Sequence, residues 1–278
     1  MPYTAEVSRQ NPSCFLFLVD QSGSMSDPFG GGGLKKKADG VADAINRLLQ
    51  NLVIRCAKAE GVRDYYHVGV LSYGHQSGPA LGGALAGQEL VPVSQVALHP
   101  ARIEERTKKV DDGAGGLIEQ NVKFPVWLDP VARGGTPMCR ALQQADSIVG
   151  GWLDRYPDCF PPVIIHLTDG ESTDGDPLPY MKQLTARSSS DGNVLLFNYH
   201  ISSHPAPPVA FPGRPDDLPD QYARTLYMAA SELTPFMREI AGEHGYELAP
   251  GAKGFTFNAD LVLVIQALDI GTRPGNLR

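Results

Sequence analysis

Asp20, Ser22 and Ser24 place one carboxylate and two hydroxyls within the five residues "DQSGS". They follow directly on the apolar run "SCFLFLV". Alone, this stretch has two readings. A carboxylate and a hydroxyl two residues apart can close a tight turn through the main chain. Small oxygen donors in this density can also seat a hard divalent cation, which takes about six oxygens and keeps some of its water.

Two further segments supply the same donors. Thr136 lies in "GGTPM" and Asp169 in "LTDGES". Thr136 with Pro137 also fits an N-cap and first helical position, and Asp169-Gly170 alone is a common turn. Taken together, three neutral hydroxyls and two carboxylates suit magnesium, with manganese or calcium as alternatives. Asp20 and Asp169 balance the charge, directly or through water. Such a site is under-charged, so it leaves the ion electrophilic and one position open for an outside carboxylate.

The surrounding elements must bring these segments together. Residues 13–20 form a continuous apolar run, as in a central strand covered on both faces. Ala38, Val41, Ala42, Ile45, Leu48, Leu49, Leu52, Val53 and Cys56 then mark one stripe of a long helix ending before Gly61. "YYHVGVLSYG" (65–74) is a second strand, and "ELVPVSQVAL" (89–98) a third that Pro92 confines to a sheet edge. Met138 to Leu153 carry a second helical stripe. Val163 to Leu167 form a strand that runs straight into "TDG", and residues 193–202 form another. Helical pieces follow at 222–230 and 233–244. "GFTFN" is a last short strand, and a final helix at 259–268 is capped by Asn258. Strands alternate with helices almost throughout. This predicts an α/β, doubly wound, mostly parallel sheet with helices on both faces. In that architecture ligands sit at the carboxyl ends of the strands, which is where all three polar segments fall.

On these residues the chain resembles the von Willebrand factor A (vWA) family. "DQSGSM", "GGTPM" and "LTDGES", in that order and on those elements, look like the three parts of its metal-ion-dependent adhesion site. The resemblance covers about residues 13–270 and implies one vWA domain over 1–278. It implies a sheet ordered 3-2-1-4-5-6 with the third strand antiparallel at an edge. It further implies direct metal contacts from Ser22, Ser24 and Thr136, with Asp20 and Asp169 acting through water. The implied function is metal-dependent binding of a protein that presents an Asp or Glu, rather than catalysis. Stand-alone proteins similar to this one are typically bacterial. Some are encoded with a kinase and phosphatase, as in the tellurite-resistance-associated group, and others work with a MoxR-type ATPase. Both contexts imply an adaptor or regulator in stress, defence or signalling.

Composition narrows the remaining classes. A net charge of −7 argues against a nucleic-acid partner, which calls for a basic face. No run approaches the roughly 18 apolar residues of a membrane helix. The first residues, "MPYTAEVSRQNP", have no apolar signal core, so a cytoplasmic location is expected. Cys14, Cys56, Cys139 and Cys159 form no CxxC pair and read as buried thiols.

Other segments read as structural. Residues 99–125 are a charged, glycine-rich surface insertion, and the proline-rich stretch around 204–219 is loop. "GGGGLKKK" (30–37) lacks the GxxxxGK[ST] form, so it reads as a loop followed by a solvated first turn of helix. Glu171, Asp174 and Asp176 read as an exposed acidic loop. His166 reads as a core histidine, and "HISSH" (His200, His204) is not a helical zinc pair. An alternative function is a metal-dependent hydrolase or phosphotransferase, for which only Glu171 or Asp174 could serve as base.

Overall fold

The computed structural model describes residues 2–29, 35–111, 117–201, 207–216 and 218–273. The glycine run 30–34, His204 and part of the proline-rich stretch lie outside these. The elements, in chain order, are β1 (Ser13–Asp20), α1 (Lys37–Cys56), β2 (Tyr66–Tyr73), β3 (Gly78–Pro79), β4 (Val91–Pro92) and α2 (Val93–Leu98). Next come β5 (Arg102–Asp111), β6 (Leu117–Val126), α3 (Met138–Arg155), β7 (Val163–Thr168) and α4 (Leu178–Ala186). The chain continues through β8 (Leu195–His200), β9 (Val209–Ala210), α5 (Gln221–Ala229), α6 (Pro235–Glu243), β10 (Phe255–Phe257) and α7 (Leu261–Thr272).

The central sheet runs β9-β10-β8-β7-β1-β2-β3, with β4 also pairing β2. β1, β2, β7, β8 and β10 are mutually parallel. The antiparallel pieces β3, β4 and β9 lie at the edges. This is the expected doubly wound α/β sheet. Every residue of β1 is buried, because β1 lies in the middle of the sheet with helices on both faces. Phe15, Phe17 and Val19 point to one face and pack with Ile45 and Leu49 of α1 and Val264 of α7. Leu16 and Leu18 point to the other and pack with Met138 and Leu142 of α3. The period-two alternation of a strand therefore feeds two cores from one apolar run.

Several boundaries differ from the sequence reading. Only Val91–Pro92 of the expected third strand pairs with β2, and Val93–Leu98 turn into a helix. The segment does pair at a sheet edge, as expected from Pro92, but the ladder ends at that proline and the helix follows at once. The proline-rich stretch contains β9, which pairs antiparallel with β10. The last helix starts at Leu261 and is capped by Asp260, whose carboxylate accepts from Leu263 N at 2.8 Å, not by Asn258. A carboxylate one residue before the first turn outcompetes an amide two residues further back.

The insertion is not merely solvated. β5 and β6 form an antiparallel hairpin whose base docks on α1. Arg106 lies 3.7 Å over the ring of buried Phe124 and donates to Asp43 of α1 at 2.8 Å. Its inner face combines this cation–π and ionic contact with buried Phe124 and Val126, which alternate with polar Lys123 and with Pro125. All four cysteines are buried free thiols. Among the described residues no helix is long and apolar enough to cross a membrane.

Candidate metal centre

The chain leaves β1 on one side of the sheet for β2 and returns on the other side as β7. The carboxyl ends of β1 and β7 therefore flank the point where strand order reverses, and Val19 pairs with Leu167 there. Asp20 ends β1 and Asp169 follows β7, so both carboxylates arrive at one place.

Asp20 is fully buried. Its Oδ1 accepts from Ser22 N at 2.8 Å, the turn bond anticipated from the sequence. Its Oδ2 accepts from Thr168 Oγ1 at 2.9 Å. The turn and the hydroxyl cluster thus coexist: the bond that folds the turn sets Ser22 and Ser24 side by side. Burial pushes the Asp20 carboxyl up to about 6, against the hydrogen bonds from Ser22. Met25, fully buried, pins the short 3-10 turn Gly23–Ser26 into the core.

Ser22 Oγ and Ser24 Oγ are 3.0 Å apart. Two neighbouring ligands of an octahedral magnesium, each at about 2.1 Å, stand about 3.0 Å apart, so the pair fits that ion. Ser24 Oγ donates to Asp169 Oδ1 at 2.7 Å. A Cβ at Gly170 would lie 3.7 Å from Thr136 Oγ1 and 3.8 Å from Ser24 Oγ, so those two hydroxyls face the same spot. All five predicted residues are brought together. Among the described residues no group of three His, Cys, Asp or Glu could hold a metal. The donor set is thus mainly hydroxyl, which favours a hard ion over zinc.

Main-chain bonds fix the loops. Gln21 N donates to Tyr73 O, Arg133 N to Gln21 O, His75 N to Arg133 O and Gly23 N to Gly134 O, all within 2.9 Å. These stitches hold the DxSxS loop against the loop that carries Thr136. Gly23 separates the two serines, yet a Cβ there would meet nothing closer than Gly134 O at 3.6 Å. The glycine that geometry requires is Gly134, at φ +91° and with His75 N at 2.4 Å from a would-be Cβ.

Thr136 is not the cap of α3. The helix begins at Met138 with Pro137 preceding it, and Asp174 does the capping: its carboxylate accepts from Cys139 N at 2.9 Å and Arg140 N at 3.0 Å. Thr136 N accepts nothing; it donates to Thr173 Oγ1 at 3.0 Å, and Thr173 N donates to Thr136 O at 2.9 Å. The segment after Asp169 is therefore buttoned onto the Thr136 loop. Asp176 accepts from Leu178 N at the start of α4. All three acids of the loop are exposed, as expected, but Asp174 and Asp176 also accept from the first turns of α3 and α4.

One residue was missed. Lys37 read as part of a solvated first turn, yet its side chain is 3 % exposed and its Nζ donates to Asp169 Oδ2 at 2.6 Å. Asp169's side chain is itself fully buried. The only sequence signal was the registration of Lys37 one residue before Ala38, on the inward stripe of α1.

Behind the centre, Tyr73 OH donates to His166 Nε2 at 2.5 Å, and His166 Nδ1 donates to Asn198 Oδ1 at 3.0 Å. Asn198 Nδ2 donates to Leu226 O at 2.8 Å. His166 is the core histidine expected, and burial pushes it down to about 4. His200 is also buried, stacked on Phe257.

No family model matches the chain, and no curated protein matches it. Among solved structures, it is similar to the vWF domain of the type V pili tip protein Mfa5 from Porphyromonas gingivalis, with 16 % identity and a TM-score of 0.32. That match covers 59 % of this chain and 39 % of the other. A structure of three N-terminal domains of the same pilus protein matches with 16 % identity and a TM-score of 0.31, over 58 % of this chain and 20 % of that one. The chain thus spans less than half the length of either structure.

Proposed function

We propose that this chain is a vWA-type binding module that captures a carboxylate of a partner protein through a divalent cation, magnesium first, with manganese and calcium as alternatives. The observation that carries this reading is the convergence of Ser22, Ser24 and Thr136 hydroxyls with Asp20 and Asp169 at the strand-order reversal. Ser22, Ser24 and Thr136 would hold the ion, and Asp20 and Asp169 would support it through water. The ion would supply an electrophilic position for an Asp or Glu side chain of the partner. Ser24 is exposed, which leaves that position an approach from solvent.

The hydrolase alternative needs a base beside the ion. Asp174 is occupied in capping α3, which leaves Glu171 as its candidate. The proposed setting is a bacterial cytoplasmic stress, defence or signalling assembly, with a kinase and phosphatase pair or a MoxR-type ATPase as partner.

The test is a pull-down from the native cell with magnesium, with chelator, and with the Ser22→Ala, Ser24→Ala double variant. The expected result is a partner retained only by the wild type with magnesium. A set of captured proteins identical in all three arms would overturn the reading.

A further inference from the structure

A buried ammonium stands in the middle of a site built to receive a cation. Lys37 Nζ and the Ser24 hydroxyl share one carboxylate, Asp169, with Nζ on Oδ2 at 2.6 Å and Oγ on Oδ1 at 2.7 Å. The lysine is therefore part of the donor cluster and not a neighbour of it. Its backbone N donates to Asp27 O at 2.9 Å, which ties the start of α1 to the end of the DxSxS turn. A second carboxylate lies within reach: Asp27 Oδ2 is 4.0 Å from Nζ, and the Asp27 side chain is 56 % exposed.

We propose that Lys37 is a tethered cation that weakens divalent-ion binding and strengthens anion binding at the same centre, an inference that rests on the metal reading above. Asp20 and Asp169 alone would neutralise a divalent ion. With the ammonium counted, the filled centre keeps one positive charge, which a single partner carboxylate cancels. The lysine thus makes the centre's demand for an acidic partner electrostatic as well as coordinative. The cost falls on the ion, which must share Asp169 with a like charge at close range. Asp27, exposed and 4.0 Å from Nζ, is a second, solvent-screened counter-charge, so Lys37 stays paired beside Asp169 when the ion also draws on that carboxylate.

The experiment is a calorimetric titration of the full chain with MgCl2, on wild type, Lys37→Met, Lys37→Arg, Asp27→Asn and the Ser22→Ala, Ser24→Ala double variant. Acetate is then titrated into each Mn2+-loaded protein and followed by water-proton relaxation. Lys37→Met is expected to bind magnesium about tenfold tighter or more, and acetate severalfold more weakly. Lys37→Arg keeps the charge and is expected to stay near wild type. Loss of a merely structural contact would not tighten metal binding. A folded Lys37→Met with unchanged or weaker magnesium binding overturns the inference while leaving the metal reading intact. If Lys37→Met does not fold, Asp27→Asn carries the test. It removes the second counter-charge and should weaken magnesium binding severalfold, and an unchanged affinity overturns the inference. If wild type and the double serine variant bind magnesium equally, the metal reading itself falls, and this inference with it.

Discussion

Two aspartates, Asp169 and Asp269, illustrate opposite uses of a withdrawn carboxylate. Asp269 on α7 is surrounded by nitrogen donors from three places. Arg55 at the end of α1 donates at 2.6 Å, His244 just past α6 at 3.0 Å, and Arg273 just past α7 also donates. Burial would raise its carboxyl, but those hydrogen bonds prevail and hold it at about 2. Asp169 has one ammonium and one hydroxyl, and its neighbour Asp20 has only a hydroxyl and an amide. A carboxylate saturated with cations clamps three elements and has nothing left to offer. Asp20 and Asp169, set mainly among hydroxyls, accept from fewer charged donors and keep acceptor capacity. Acidic clusters in a fold are therefore better sorted by what donates to them than by how many acids they contain.

The comparison can be broken at several points. The largest effect is expected from Ser22→Ala with Ser24→Ala, which should lower magnesium affinity about a thousandfold, equivalent to roughly 4 kcal/mol. Calorimetry reads it, with circular dichroism confirming that the variant is folded, since Ser24 Oγ also donates to buried Asp169. Retained affinity would mean that the hydroxyls are only a turn.

Next is the buried network under the centre. His166 is held neutral at about 4, below the ordinary value near 6.5. Its unfolded form takes up a proton first, so the folded state is fully stable above about pH 6.5 and loses stability as pH falls toward 4. The loss is about 3 kcal/mol in order of magnitude. Urea unfolding across that range should show the slope, and His166→Gln should flatten part of it. An unchanged slope would show that His166 is not the group responsible.

Asp269→Asn should then cost about 2 kcal/mol of stability at neutral pH. Because this carboxyl is depressed, its contribution is present above about pH 4 and is lost as pH falls toward 2. Magnesium affinity should not move, which is the point of the contrast. An altered affinity would show that the two carboxylates are coupled through α1.

The smallest expected effect is about 1 kcal/mol, from Asp174→Asn, through the N-terminus of α3. Phosphoester turnover should be unaffected. A turnover that disappears with this variant would revive Asp174 as a base.

The donor residues were legible because the family-like pattern uses residue types that are chemically specific, and because a wholly apolar β1 announces a central strand. The parallel sheet was legible from alternation alone. What escaped reading had physical reasons. Lys37 is charged and follows a glycine run, and its register on the inward stripe of α1 does not tell that its side chain reaches a carboxylate 132 positions away. "VSQVAL" is rich in β-branched residues, yet it forms α2, since propensity yields to the packing of Val93 and Val96 into the core. α4 was not anticipated, because its buried stripe is only Met181 and Leu184, close behind Pro177 and Pro179. Asp174 and Asp176 looked alike among exposed acids, and only the positions of helix N-termini tell them apart.

The stitches at the centre lie in the main chain: Gln21 to Tyr73, Arg133 to Gln21, His75 to Arg133 and Gly23 to Gly134. Such bonds are indifferent to which side chains the loops carry. The frame of this sheet edge is thus independent of its side chains. Side chains such as those of Gln21, Arg133 and Glu171 can be exchanged without refolding the edge, and on the proposed reading each exchange would retune partner preference one substitution at a time.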